Sequence, residues 1–228
     1  MSKVFIGVGH GGSDPGAVGH LVEKDINLKM ATACRDLLVA HGVEVLMSRT
    51  TDENDPLTEE IKECNVFNPD LAVDVHNNAG GGDGFECYYH YKGGTSKTLA
   101  ENIEAEVKSI GQNSRGIKIK LNSNGSDYFG FIRQTKCPAV IVEGVFVDNV
   151  SDAAQADTDE ECRVFGEAYA RGILKTLGIN IQTKAPNPAL EQTEGKLYYV
   201  QVGAFKEKAN AEAMVAELSG KGYHAIMK

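Results

Sequence analysis

The sequence predicts an α/β fold, an open and mostly parallel twisted sheet flanked by helices, followed by a small C-terminal βαβ half-module. Three observations carry this. Residues 3–8, 43–47, 71–75 and 138–142 are short apolar runs rich in Val and Ile, the pattern of strands buried on both faces. Helix-period stretches alternate with them, so 3–47 reads as a βαβ unit, a parallel pair with a right-handed crossover. After residue 178 the composition changes to a Thr-Lys-Ala-Pro-Asn-Pro-Ala run, a linker pattern, before one last apolar run.

In order, the first strand (3–8) runs into His10 and the glycine-rich stretch 9–19. Glycine lets the chain turn sharply and approach a ligand closely. Glu23 opens a helix with Ile26, Met30, Leu37 and Leu38 at helical spacing, ending at His41-Gly42. The second strand is 43–47. A polar loop leads to a helix over 57–67, stopped by Asn68-Pro69. The third strand, 71–75, repeats the opening pattern, with His76 at its carboxyl end and glycines soon after. Residues 84–91 alternate as a strand, 96–110 form a helix, and the polar stretch 111–127 reads as a long loop. Residues 128–132 are mixed, with Phe129-Gly130-Phe131 fitting either a substrate surface or core. Residues 138–142 form a strand ending at Glu143, and 159–177 a closing helix with Phe165, Tyr169, Ile173 and Leu177 inward. The expected domains are 1–178, a linker 179–196, and 197–228, one βαβ unit too small to bury a core alone.

The 228 residues suit one large domain with an appendage, and 42% hydrophobic content excludes a disordered chain. A net charge of −9 argues against a nucleic-acid partner, which needs a basic face. No apolar run approaches a membrane span, and the start carries no signal-peptide pattern, so release by cell lysis is the expected route. Five cysteines without a C-x-x-C pair exclude a disulfide framework and a zinc finger.

His10, His76 and Glu143 fall at the carboxyl ends of strands, where open α/β sheets build their sites. Glu23 begins the first helix. Two imidazoles and a carboxylate make a zinc site with an open position, and a further carboxylate can take a proton from water. The four residues fit a metal-assisted hydrolase, although their spacing is no local signature. His20, His41, His90 and His224 are weaker ligand candidates, and Asp14 reads as a turn residue.

Five motifs then resemble one family in order. They are residues 9–17 (Gly-His-Gly-Gly-Ser-Asp-Pro-Gly-Ala), 23–28 (Glu-Lys-Asp-Ile-Asn-Leu), Arg49-Thr50, 74–79 (Asp-Val-His-Asn-Asn-Ala) and 138–143 (Pro-Ala-Val-Ile-Val-Glu). Together they resemble the zinc-dependent N-acetylmuramoyl-L-alanine amidases of the amidase-3 family, over residues 3 to about 177. The resemblance implies His10, Glu23 and His76 as zinc ligands and Glu143 as catalytic carboxylate. It implies hydrolysis of the amide between N-acetylmuramic acid and L-alanine in peptidoglycan, with Asn78 a candidate for substrate binding. The stretch 198–205 (Tyr-Tyr-Val-Gln-Val-Gly-Ala-Phe) resembles the first half of a SPOR peptidoglycan-binding repeat. A half repeat implies either truncation or pairing with a partner, such as a dimer through the tail. The implied role is a phage endolysin or a mother-cell lytic enzyme. The rivals are a non-catalytic wall-binding module and a zinc peptidase cutting the stem peptide.

Overall fold

The computed structural model describes residues 1–181 and, beyond them, only Lys208, Asn210, Met214 and Val215. The chain divides into two compact units, Met1–Thr183 and Lys184–Lys228. The expected tail strands and all but the first residues of the linker lie outside the described residues.

Twelve elements follow one another in the first unit: β1 (Lys3–Val8), α1 (Glu23–Ala40), β2 (Glu44–Met47), α2 (Leu57–Phe67), β3 (Leu71–Asn78), β4 (Phe85–Tyr89), α3 (Thr95–Ser109), β5 (Ser114–Lys118), α4 (Gly130–Gln134), β6 (Ala139–Phe146), α5 (Val150–Ala153) and α6 (Asp159–Thr176). The strands form one six-stranded sheet in the order β2-β1-β3-β6-β4-β5. Every neighbouring pair is parallel except β4 with β6. The open, mostly parallel sheet is thus the architecture expected.

Two layers of helices cover the sheet. On one face α1, α3 and α6 bury the larger core, from Val4, Ile6 and Val8 of β1 to Phe165, Tyr169 and Ile173 of α6. Ile179 and Ile181 pack against this core as well. Helix α6 fits closely because two of its positions lack side chains. A Cβ on Gly166 would lie 2.2 Å from the Met30 carbonyl oxygen of α1, and one on Gly172 2.6 Å from Ile103 Cα of α3. Its start is fixed by a capping box, in which Thr158 and Glu161 satisfy each other's backbone N–H groups. The other face carries a smaller core under α2 and α4, built on Phe5, Ala72, Phe131 and Ile141. The starts of α2 and α4 bring Leu57, Glu60, Phe129 and Phe131 to a cavity beside His10 and His76 at the carboxyl ends of β1 and β3.

Four expectations change. The stretch 111–127 is not a plain loop, since β5 lies within it. As an edge strand paired only with β4, β5 needs no apolar alternation, which hid it. Strand β3 runs on to Asn78 and β6 to Phe146, so His76 and Glu143 sit inside strands and not after them. The mixed stretch around Phe131 forms the short helix α4, with Phe131 buried in the smaller core. The residues after β6 form a further short helix, α5, capped by the Asn149 side chain. All five cysteines are free. Among the described residues no helix is long and apolar enough to cross a membrane.

Candidate active site and metal centre

The site is built where β1, β3 and β6 reach the open edge. The chain leaves β1 through His10, which takes φ +64°, a left-handed conformation uncommon outside glycine, and Gly11 and Gly12 follow at positive φ. The loop closes on itself through a pair of backbone hydrogen bonds between Gly11 and Asp14. It is tied down by Asp52 and Asn54, whose side-chain oxygens accept from the Gly12 and Ser13 N–H groups at 2.7 and 2.9 Å. The loop returns to cap α1, with Glu23 N donating to the Ala17 carbonyl and Lys24 N to the Pro15 carbonyl.

This path delivers Glu23 into the site. Its side chain is 4% exposed, and its oxygens accept from the backbone N–H groups of Ala17 (2.8 Å) and Asn77 (3.1 Å). Glu23 Oε2 lies 3.2 Å from His10 Nε2, and Oε1 lies 3.0 Å from His76 Nδ1. One ligand atom from each of His10, Glu23 and His76 falls within 4.8 Å of the others. Two glycines make this convergence possible. A Cβ on Gly9 would sit 2.2 Å from the His76 ring, and one on Gly16 2.6 Å from Glu23 Oε2.

Each imidazole turns its second nitrogen to a carboxylate. His10 Nδ1 pairs with Asp14 Oδ2 at 2.8 Å, and His76 Nε2 with Asp74 Oδ2 at 3.2 Å. Such partners fix the ring and its tautomer when the first nitrogen binds a metal. Asp14 therefore does more than form a turn, and Asp74 is a site residue that its apolar strand context concealed. The charges follow the same logic. The hydrogen bond from His10 to Glu23 raises the His10 pKa against the opposing effect of burial. Burial opposes the charged His76 too, but Asp74 and Glu23 outweigh it and hold its pKa well above 6.5. Burial works against the Glu23 carboxylate, yet the two histidines keep its pKa far below the usual range. Two imidazoles and a buried carboxylate this close form a donor set that a zinc ion fits, because a cation there would replace the protons now shared among them.

Glu143 sits opposite His76 in the β3–β6 register and opposite Glu86 in the β4–β6 register. Burial, with smaller contributions from nearby carboxylates, pushes its pKa up to about 7, the range suited to moving protons near neutrality. Glu86 behaves differently. Although burial would raise its pKa, Lys118 (2.6 Å), Arg115 (2.5 Å) and the Tyr88 hydroxyl (2.9 Å) stabilise its anion. Asn78 Nδ2 also donates to Glu86, at 3.3 Å, and its Oδ1 accepts from Ala79 N at 2.9 Å. Arg115 and Lys118 come from β5, the strand missing from the sequence expectation.

The support is polar and buried. Arg49, 2% exposed, donates to the Val8, Gly9, Lys24 and Thr51 carbonyls, bracing the turn on which His10 is mounted. Asn27 donates to the Gly9 carbonyl, and Asn77 bridges Asn27 and Val145 N. A cavity of about 260 Å³ opens beside His10 and His76, walled by Asp55, Glu60, Asp74, Phe129 and Ile141 among others. Of the weaker candidates, His41 bonds the Leu37 carbonyl and His90 pairs with Asp127, and neither joins the cluster.

Comparison with known proteins agrees with this geometry. Residues 4–175 match the family model described as N-acetylmuramoyl-L-alanine amidase, and residues 194–227 match that of the SPOR domain. The chain is 34% identical to the sporulation-specific N-acetylmuramoyl-L-alanine amidase of Bacillus subtilis, covering all of this chain and 84% of that protein. It is 33% identical to the endolysin of Bacillus phage SPP1, over 89% of this chain and 77% of the endolysin. The solved catalytic domain of CwlV, an N-acetylmuramoyl-L-alanine amidase from Bacillus (Paenibacillus) polymyxa var. colistinus, superposes with a TM-score of 0.72 at 28% identity. That match covers 79% of this chain and the whole of that domain. The chain belongs to the N-acetylmuramoyl-L-alanine amidase family, and its activity is that of a peptidoglycan amidase.

Proposed function

We propose that this peptidoglycan amidase is zinc-dependent, with His10, Glu23 and His76 as the metal ligands and Glu143 as the proton-transferring carboxylate. The observation that carries the reading is the convergence of those three ligand atoms within 4.8 Å, with Glu143 on the neighbouring strand in register with His76. A zinc ion held there would supply Lewis-acid polarisation of the scissile carbonyl and acidify a water molecule.

The chain's own residues supply the rest. Glu143, poised near neutrality, accepts a proton from the attacking water and returns it to the leaving amine of L-alanine. Asp14 and Asp74 hold the two imidazoles so that the nitrogens facing Glu23 are the ones offered to the metal. Asn78 positions substrate at the rim of the site and orders Glu86 next to Glu143. Residues 1–178 form the catalytic domain, 179–196 a linker, and 197–228 a SPOR-like module that holds peptidoglycan. The protein acts on the cell wall.

The test is mass spectrometry of a digest of purified sacculi, run with zinc-loaded and chelator-stripped protein. The expected product is an intact stem peptide with a free L-alanine amine, released only by the loaded protein. Cleavage within the stem would assign a peptidase, and full activity after stripping would remove the zinc.

A further inference from the structure

Beyond His76 the cavity becomes acidic. Asp55, Glu60 and Asp74 line it, and among the described residues Asp55 Oδ2, Glu60 Oε1 and Asp74 Oδ1 are the buried side-chain atoms left without a hydrogen-bond partner. Glu60 and Asp74 are only 4% and 2% exposed. Their closeness is built in. A Cβ on Gly7 would lie 2.0 Å from Glu60 Oε1 and 2.7 Å from Asp74 Oδ1, so the missing side chain on β1 is the room the two carboxylates occupy. Buried carboxylates without compensation are costly. Burial first, then Asp74 and Asp55, drives the Glu60 pKa well above its usual value. Arg49 does not relieve this, since its guanidinium is committed to four backbone carbonyls. Apart from His10, Asp14 and His76 on its metal-site side, the other side chains of the same cavity are apolar: Leu57, Phe129, Phe131 and Ile141.

We propose that this cavity is a subsite for a primary alkylammonium group of the stem peptide, its charged head on Glu60 and Asp74, with Asp55 adding negative charge at the wall, and its methylene chain against Leu57, Phe129 and Ile141. An ammonium carries N–H donors and no acceptor, which suits the unpartnered Glu60 Oε1 and Asp74 Oδ1 that face the same gap over Gly7. An aliphatic stem with a charged tip needs apolar walls and a polar floor, which is how this cavity is lined. A second metal ion fits less well. Hard cations need a tight shell of oxygens, and among the described residues only His10, Glu23 and His76 bring three such ligand atoms within 4.8 Å of one another. The subsite rests on the amidase reading, because it takes the stem peptide as its ligand.

The experiment is a ligand-observed NMR titration of the full-length, zinc-loaded chain with Nα-acetyl-L-lysine N-methylamide and with the same probe acetylated on Nε. The free amine is expected to bind at least ~10-fold more tightly than its capped twin, as for loss of one partner of a buried charge pair. Glu60→Gln should abolish that preference and Asp55→Asn should reduce it, with thermal melts verifying the fold; if one variant does not fold, the other decides. Equal binding of the two probes, or a preference unchanged in the folded variants, overturns the subsite. Sacculus digestion in parallel separates the two readings. A protein that cleaves the wall amide but ignores the amine loses the subsite alone, whereas one that prefers the amine but releases no L-alanine amine loses the proposed function alone.

Discussion

At the scale of single residues, Glu143 and Glu23 are both carboxylates in one site, and their surroundings push them in opposite directions. Glu23 faces two imidazoles and stays ionised, while Glu143 is buried among other carboxylates and takes up a proton near pH 7. Glu143→Gln should therefore retain zinc by elemental analysis and lose about 10²–10⁴-fold in kcat; near-normal turnover would remove its role. Asp14→Asn should weaken zinc about 10–100-fold in a competitive chelator titration, and an unchanged affinity would mean that the His10 orientation is set elsewhere. In the metal-free protein both histidines titrate above 6.5, and only the neutral imidazole binds metal. Zinc affinity should therefore begin to fall, as pH is lowered, above pH 6.5; a fall confined to lower pH would contradict the raised values. His10 and His76 were legible because each follows an apolar run at a predictable edge. Asp14, Asp74 and Glu60 were not, because their meaning depends on which ring or glycine faces them across the fold, and nothing within a few residues records that.

At the scale of elements, helix α6 is the closing brace of the larger core, and its glycines set how near α1 and α3 can come. Gly166→Ala would force a methyl toward the Met30 carbonyl of α1, with an expected loss of about 1–3 kcal/mol by chemical denaturation. An unchanged midpoint would mean that the helices part without strain. The strands with a continuous apolar run were readable over their buried portions. Their carboxyl ends were not, because the polar residues that build the site, His76 to Asn78 and Glu143, break the run while the backbone ladder continues. Strand β5 escaped for a related reason. It pairs on one side only, and its Arg115 and Lys118 serve Glu86 instead of a core.

At the scale of the whole molecule, the sheet places the ends of β1, β3 and β6 side by side, with a cavity beside His10 and His76 at that edge. A chain of net charge −9 gains nothing from long-range attraction to an anionic wall, so the proposed function assigns retention there to the SPOR-like tail. A protein ending at Thr183 should hydrolyse a soluble muropeptide with unchanged kcat/KM and co-sediment less with sacculi. Equal sedimentation would deny the tail that task. The mostly parallel character of the sheet, and the pairing of β1 with β2, followed from alternating strands and helices. The antiparallel β4 was beyond reach, because its partner β6 lies far along the chain and no turn joins them.

The most direct measurement is anomalous diffraction at the zinc edge from crystals grown with stoichiometric zinc. The expected map has one strong peak, about 2.0–2.2 Å from a nitrogen of His10, a nitrogen of His76 and an oxygen of Glu23. A peak elsewhere, at Asp55, Glu60 and Asp74 for instance, with none between the two histidines, would contradict the assigned metal centre.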